Sequence, residues 1–238
     1  MLDKAHRHQP FLLSDLLTAS ITVGHFPLLW KHANCIVVPK GGRRDQSVPK
    51  SYRPISLLSN ISKVFEKLVA RRIAKAAIRV KALHSTQFGA IQNRSAIDAL
   101  FAIVHPASEA LCIPNKSKRP RQDRPTFLAN DIQGAFNNTD PIRLVRIMEA
   151  RQLPTYLSKW TASFTAERTI AFCFDNRVED PKLYNSGLPQ GSPASPILFL
   201  IYAQAMLEAL PTSKEKDISY LDDDGALQLS PAQSSAIT

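Results

Sequence analysis

The sequence predicts a mixed α/β fold of the α+β kind, and three observations point to it. Apolar residues recur at helical spacing over residues 11–23, 59–80, 95–104 and 140–153, and residues 193–210 are apolar nearly all round. Short β-branched or alternating stretches lie between them at 34–39, 51–56, 126–132 and 169–174. Two pairs of extended segments, 34–39 with 51–56 and 217–221 with 225–229, are joined closely enough to form hairpins. With 238 residues and 44% hydrophobic composition, the chain can build one large domain or two modest ones around a real core. No internal repeat is visible.

Each element has a local cause. The helix over 11–23 closes at Gly24, and Pro27 blocks its continuation. Ile36, Val37 and Val38 favour a strand, a turn through Gly41, Gly42, Arg43 and Arg44 follows, and Tyr52, Arg53, Pro54 and Ile55 return as its partner. Lys40, Arg43, Arg44, Lys50 and Arg53 make this hairpin basic at its tip and suit a phosphate path. The helix over 59–80 sets Ile61, Val64, Phe65, Leu68 and Ile73 on an apolar side and Lys63, Lys67, Arg71, Arg72 and Lys75 on the remainder. That basic remainder reads equally as a solvated face or as a nucleic-acid contact. Gln87-Phe88-Gly89 punctuates the chain, and Ser95 caps the next helix. Residues 112–125, with three prolines and five basic side chains, break every periodicity and read as a flexible loop. The same patch fits a monopartite nuclear-import signal. A strand over 126–132 ends on Asp131, and after a turn at Gly134 a helix starts with Asp140 as its cap and Pro141 at its first position. Helix continues over 160–164, 169–174 is a strand, 185–193 is a loop, and Pro193 opens the apolar helix.

The net charge of +10 is unevenly divided. Residues 1–124 hold 21 Lys+Arg against 7 Asp+Glu (+14), and residues 125–238 hold 9 against 13 (−4). A basic half followed by an acidic half suits polyanion binding joined to a metal site. Three scattered cysteines, Cys35, Cys112 and Cys173, fit neither a disulfide framework nor a zinc site, so a reducing intracellular compartment is expected: nucleus or cytoplasm, with the mitochondrion left open. No apolar run is long enough for a membrane span and no signal segment opens the chain, so neither membrane insertion nor secretion is expected. Nothing in the sequence bears on oligomeric state.

Tyr220-Leu221-Asp222-Asp223-Asp224 is the stretch with the most chemistry. Its flanks place the three acids at the tip of a tight hairpin, where they are either a solvated acidic turn or ligands of a divalent ion, since Mg²⁺ takes hard oxygen ligands from one or two carboxylates. Asp131, at a strand end, is by itself an ordinary cap or turn residue. Together with Asp222 and Asp223 it makes the set that two-metal phosphoryl transfer uses, in which two ions clamp the attacking hydroxyl and the leaving oxygen.

Several separated stretches resemble the reverse transcriptases of non-LTR (LINE-type) retrotransposons. Ile36-Val37-Val38-Pro39-Lys40, Ser51-Tyr52-Arg53-Pro54-Ile55-Ser56-Leu57-Leu58 and the Lys63…Phe65-Glu66-Lys67 helix resemble the family's fingers motifs. Gln87-Phe88-Gly89 with Ala96-Ile97-Asp98-Ala99 is similar to its next block. Asp131-Ile132-Gln133-Gly134-Ala135-Phe136-Asn137, Gly187-Leu188-Pro189-Gln190-Gly191-Ser192-Pro193-Ala194-Ser195-Pro196 and Tyr220-Leu221-Asp222-Asp223 resemble successive palm motifs. The blocks fall in family order and cover most of residues 20–229. Group II intron maturases and telomerase-type enzymes fit the Tyr52-Arg53-Pro54-Ile55-Ser56-Leu57-Leu58 block less well.

The resemblance implies a right-hand polymerase fold: a fingers-like basic region over 1–125 and a palm over 126–238, its small antiparallel sheet packed on helices, as one domain truncated at its C-terminus with the thumb absent. It implies RNA-directed DNA synthesis with an RNA template, a DNA primer and deoxynucleoside triphosphates, using two Mg²⁺ ions or Mn²⁺ in their place. Asp131, Asp222 and Asp223 would be catalytic and hold the metal, with the Ile132 carbonyl completing the coordination. Phe136 would underlie the incoming sugar and exclude a 2′-hydroxyl, Gln190 and Gly191 would approach nucleotide and template, and Lys40 and Arg53 would meet the triphosphate. Apart from the resemblance, Phe136 is an ordinary core aromatic and Lys40 and Arg53 are solvated charges. Asn137 stands where many relatives carry Asp, and Asp224 is an additional acid without a role. The alternative function is a catalytically inactive remnant that binds nucleic acid.

Overall fold

The computed structural model describes residues 11–231 apart from 43–44, 85, 113–122, 133, 175–176, 185–186, 210–214 and 221–222. In chain order the elements are α1 (Leu12–Val23), β1 (His32–Pro39), β2 (Tyr52–Leu57), α2 (Asn60–Arg79), α3 (Ala96–Cys112), β3 (Asp123–Asp131) and α4 (Pro141–Ala150). They continue with α5 (Thr155–Thr165), β4 (Thr169–Phe174), β5 (Arg177–Val178), β6 (Lys182–Leu183), α6 (Ser195–Ala209), β7 (Glu215–Tyr220) and β8 (Asp223–Pro231). Two compact units form, Met1–Ala82 with Phe136–Tyr202 and Leu83–Ala135 with Ala203–Thr238. Among the described residues no helix is long and apolar enough to cross a membrane.

In the first unit β1 pairs antiparallel with β2, from Asn34↔Leu57 to Pro39↔Tyr52, which is the expected basic hairpin. β1 also pairs in parallel with β4, and β5 and β6 extend the sheet antiparallel on β4. The core beside it is aromatic. Phe26 meets Trp160 and Phe164 edge-on at 5.5 and 5.2 Å, those two rings stack at 5.1 Å, and Trp30 reaches Phe65 at 4.7 Å. The expected cap of α4 is present: the Asp140 carboxylate accepts from the amides of Ile142 and Arg143 at 2.8 and 3.3 Å, with Pro141 at the first position.

The apolar side expected for α2 is displaced around the helix. Phe65, Val69, Ile73, Ala76 and Ala77 are buried together with Ser62 and Glu66, whereas Val64 and Leu68 are exposed. Two polar residues enter the core because partners await them: the Ser62 hydroxyl donates to the Ser59 carbonyl at 2.8 Å, and Glu66 Oε2 accepts from the Ser192 hydroxyl at 2.5 Å. Isolated Val and Leu side chains on a surface are tolerated in exchange.

Glu66 is fully buried, and its second oxygen, Oε1, has no hydrogen-bond partner. Arg168, also buried, donates from Nη1 to the Phe164 carbonyl at 3.0 Å while its Nη2 is left unsatisfied. Burial pushes the Glu66 carboxyl above its ordinary range, and the Ser192 hydroxyl and the Arg168 charge oppose it only in part. Burial likewise lowers the Arg168 guanidinium.

The second unit is a three-stranded antiparallel sheet in the order β3-β8-β7, with α3 packed on all three strands. The start of α3 is fixed reciprocally: the Asp98 carboxylate accepts from the Ser95 amide and hydroxyl at 2.7 and 2.8 Å, and the Asp98 amide donates to the Ser95 hydroxyl at 3.2 Å. The helix runs past the expected end at 104 to Cys112, with Pro106 inside it. β3 begins at Asp123, so residues 123–125 of the expected loop are strand and 113–122 lie outside the described residues. Asp223 and Asp224 are not at the hairpin tip. They are the first residues of β8, because the strands pair as far as Tyr220↔Asp223 and need only residues 221 and 222 between them.

Because the folded-state Glu66 carboxyl holds its proton more tightly than the unfolded one, stability is lost as pH rises from the ordinary value of 4.5 through the raised folded value. Glu66→Gln keeps an acceptor for Ser192 and carries no charge. Its melting temperature relative to wild type is expected to improve between pH 4.5 and about pH 7. Thermal denaturation at the two pH values checks this, and a difference that stays constant contradicts it.

Candidate functional site

The sheet of the second unit sets acids side by side. Asp131, the last residue of β3, lies directly opposite Asp223, the first residue of β8, and Asp223 in turn lies opposite Tyr220. Directly paired residues share a face of a sheet, and the next residue along takes the other. The register therefore puts Asp131, Asp223 and Tyr220 in one row, and Asn130, Asp224 and Ser219 in a row on the opposite face. Asp224 is thereby separated from the acid pair, which the sequence left undecided. Ile132 follows Asp131 directly beyond the strand end, and Asp222 lies outside the described residues.

Like charges opposed across an antiparallel pair destabilise it. A divalent cation relieves that repulsion, and a donor set of carboxylates with a backbone carbonyl is the all-oxygen kind that a hard divalent ion takes. The residues at this sheet end therefore fit such an ion.

The first unit gathers another group of the predicted residues. Arg53 pairs with Val38 near the turn end of the β1–β2 hairpin, and Lys40, one residue past β1, donates its amide to the Ser51 carbonyl at 2.8 Å. Arg53 is exposed and Lys40 partly so. Three residues further along β2, the Ser56 amide donates to the Gln190 carbonyl at 2.8 Å, so the Pro189-Gln190-Gly191 loop is hydrogen-bonded to the strand that carries Arg53. Gly191 has φ +116°, and a Cβ there would stand 2.7 Å from the Ser56 carbonyl oxygen. Only glycine allows that approach. Behind it, Gly187 has φ +72° and a Cβ would come within 2.5 Å of the Phe136 carbonyl oxygen, which accepts from the Leu188 amide at 2.7 Å. Phe136 is half-buried, its ring 5.4 Å from that of Phe199 on α6. Arg53, Phe136, Gln190 and Gly191 are thus tied into one assembly through β2 and the loop before α6.

The same loop rests on residues that were not foreseen in this role. The Ser192 hydroxyl donates to Glu66 and accepts from the Ala194 amide at 3.1 Å, and the Ser195 hydroxyl donates to the Pro189 carbonyl at 2.8 Å. A lone acid among the apolar positions of a helix, as Glu66 is in α2, was the available signal.

The reverse transcriptase (RNA-dependent DNA polymerase) family matches residues 38–227. The chain is 32% identical over 221 residues to the RNA-directed DNA polymerase from mobile element jockey of Drosophila melanogaster, covering 90% of this chain and 23% of that protein. It is 30% identical over 204 residues to the probable RNA-directed DNA polymerase from transposon X-element of the same organism, covering 85% and 21%. The chain thus spans less than a quarter of the length of these relatives. Its fold is similar to that of apo telomerase from Candida tropicalis, with a TM-score of 0.58 at 10% identity, over 84% of this chain and 39% of that one. The fold is the right-hand polymerase type, and the chain belongs to the reverse transcriptase family, in its LINE-type retrotransposon branch.

Proposed function

We propose that these residues carry RNA-templated DNA synthesis: a DNA primer, paired to an RNA template, is extended from deoxynucleoside triphosphates. The primer 3′-hydroxyl gives its proton to solvent as its oxygen forms a bond to the α-phosphorus, the bond from that phosphorus to the bridging oxygen breaks, and pyrophosphate leaves with the electron pair. The observation that carries the reading is the Asp131↔Asp223 pairing at the end of the sheet. Asp131, Asp222 and Asp223, with the Ile132 carbonyl, would hold the metal. Two Mg²⁺ ions, or Mn²⁺ in their place, when bound supply the charge that steadies the attacking and leaving oxygens.

The chain's own residues divide the remaining work. Arg53 offers a planar fork of donors for the triphosphate, and Lys40 offers a point charge. The close fit of Gly191 against Ser56 supports a role for Gln190 and Gly191 as backbone approached by nucleotide and template. Phe136, half-buried and packed on Phe199, would support the incoming sugar and leave no room for a 2′-hydroxyl.

Primer extension by the full chain on poly(rA)/oligo(dT) with dTTP and Mg²⁺ tests the proposal. Extension is expected, and Asp223→Asn is expected to reduce it by at least about a hundredfold, as loss of a charge-stabilising group at a reacting centre does. Extension undiminished by Asp223→Asn would exclude the acid row, and salt-sensitive RNA binding without extension would favour the remnant that only binds.

A further inference from the structure

The side of α2 that faces away from the core carries more charge than its fold requires. Lys67, Arg71, Arg72, Lys75 and Arg79 are all exposed, with the exposed aliphatic residues Val64, Leu68 and Ile78 between them. At about 100° per residue these eight positions fill an arc of about 140°, and the buried positions Ser62, Phe65, Glu66, Val69, Ile73, Ala76 and Ala77 fill the adjoining arc. The only acid in the helix, Glu66, is buried and bound to Ser192. Among the described residues no carboxylate pairs with any of the five cations.

Five cations concentrated on one arc repel one another, and helix stability is better served by acids at i±4, which this face lacks. From Lys67 to Arg79 the face extends about 18 Å, along which a nucleic-acid duplex presents a phosphate charge about every 1.7 Å. We infer that the exposed face of α2 is a nucleic-acid docking surface that grips a phosphate backbone, apart from the residues assigned to nucleotide and metal. A polymer of uniform charge density can satisfy all five cations at once, whereas a folded acidic protein must place its carboxylates to match.

The inference rests on the reading that this chain handles nucleic acid, and one titration separates the two. Binding of a fluorescein-labelled RNA hairpin to the full chain is followed by fluorescence anisotropy across a series of KCl concentrations. The variant carries Lys67→Gln, Arg71→Gln and Lys75→Gln together; a control carries Lys159→Gln and Arg177→Gln, exposed cations on α5 and β5. The triple variant is expected to melt as wild type does, to bind at least about tenfold more weakly at low salt, and to flatten the slope of log K against log salt by about two to three. The control is expected to change neither affinity nor slope by more than the loss of an ordinary surface charge does. Affinity and slope unchanged in the triple variant overturn the inference and leave the nucleic-acid reading standing. No RNA binding by wild type overturns both. Tighter binding of poly-L-glutamate than of RNA at equal salt overturns it in favour of an acidic protein partner.

Discussion

Two aspartates at directly paired register positions, Asp131 and Asp223, set the terms for the second unit. The Asp131↔Asp223 pairing opposes like charges where a sheet is ordinarily stabilised by attraction or packing. β8 accepts this as the central strand, paired along its length with β3 on one side and over Asp223 to Gln228 with β7 on the other, with α3 across all three. Such ladders hold the register by backbone hydrogen bonds that do not depend on the side chains at the strand end. A slip of one residue would move Asp223 to the other face and bring Asp224 opposite Asp131. The register therefore decides which acid belongs to the pair.

The first unit shows a second expense of the same kind. Burying Glu66 and Arg168, each with an unsatisfied polar atom, costs stability that an apolar pair would not. What the buried carboxylate secures is the Ser192 hydroxyl, and through it the loop whose Gly191 lies against Ser56. A protein departs from local rules of packing where a site must be held, and the Asp131↔Asp223 pairing and the buried Glu66 both fall on segments that carry the family's motifs.

Most of the element pattern was legible because local causes decided it. Asp140 with Pro141, Ser95 with Asp98, and Gly24 after α1 each fix a helix end through short-range hydrogen bonds that the residue types announce. β4 was visible as Thr169–Phe174 from the alternation of its residues. What the sequence concealed depends on distant partners. The inward side of α2 is set by Ser192, 126 residues away, so counting apolar residues placed Val64 and Leu68 wrongly. β3 could not be extended back to Asp123 without knowing that Pro231 lies opposite it. The parallel pairing of β1 with β4 joins segments more than a hundred residues apart, and no local pattern marks it. Of the candidate site, the acids and the Pro189-Gln190-Gly191 loop were legible as motifs, and the assignment of Asp224 to the other face was not.

The acid row is the claim on which the rest of the functional account stands, and metal binding addresses it without requiring turnover. Mn²⁺ can be titrated into the full chain and the free ion followed by electron paramagnetic resonance, for wild type and for Asp131→Asn and Asp223→Asn separately. Saturable binding by wild type is expected, weakened at least about tenfold by either substitution, since each removes a charged oxygen ligand. Binding that neither substitution changes would contradict the claim.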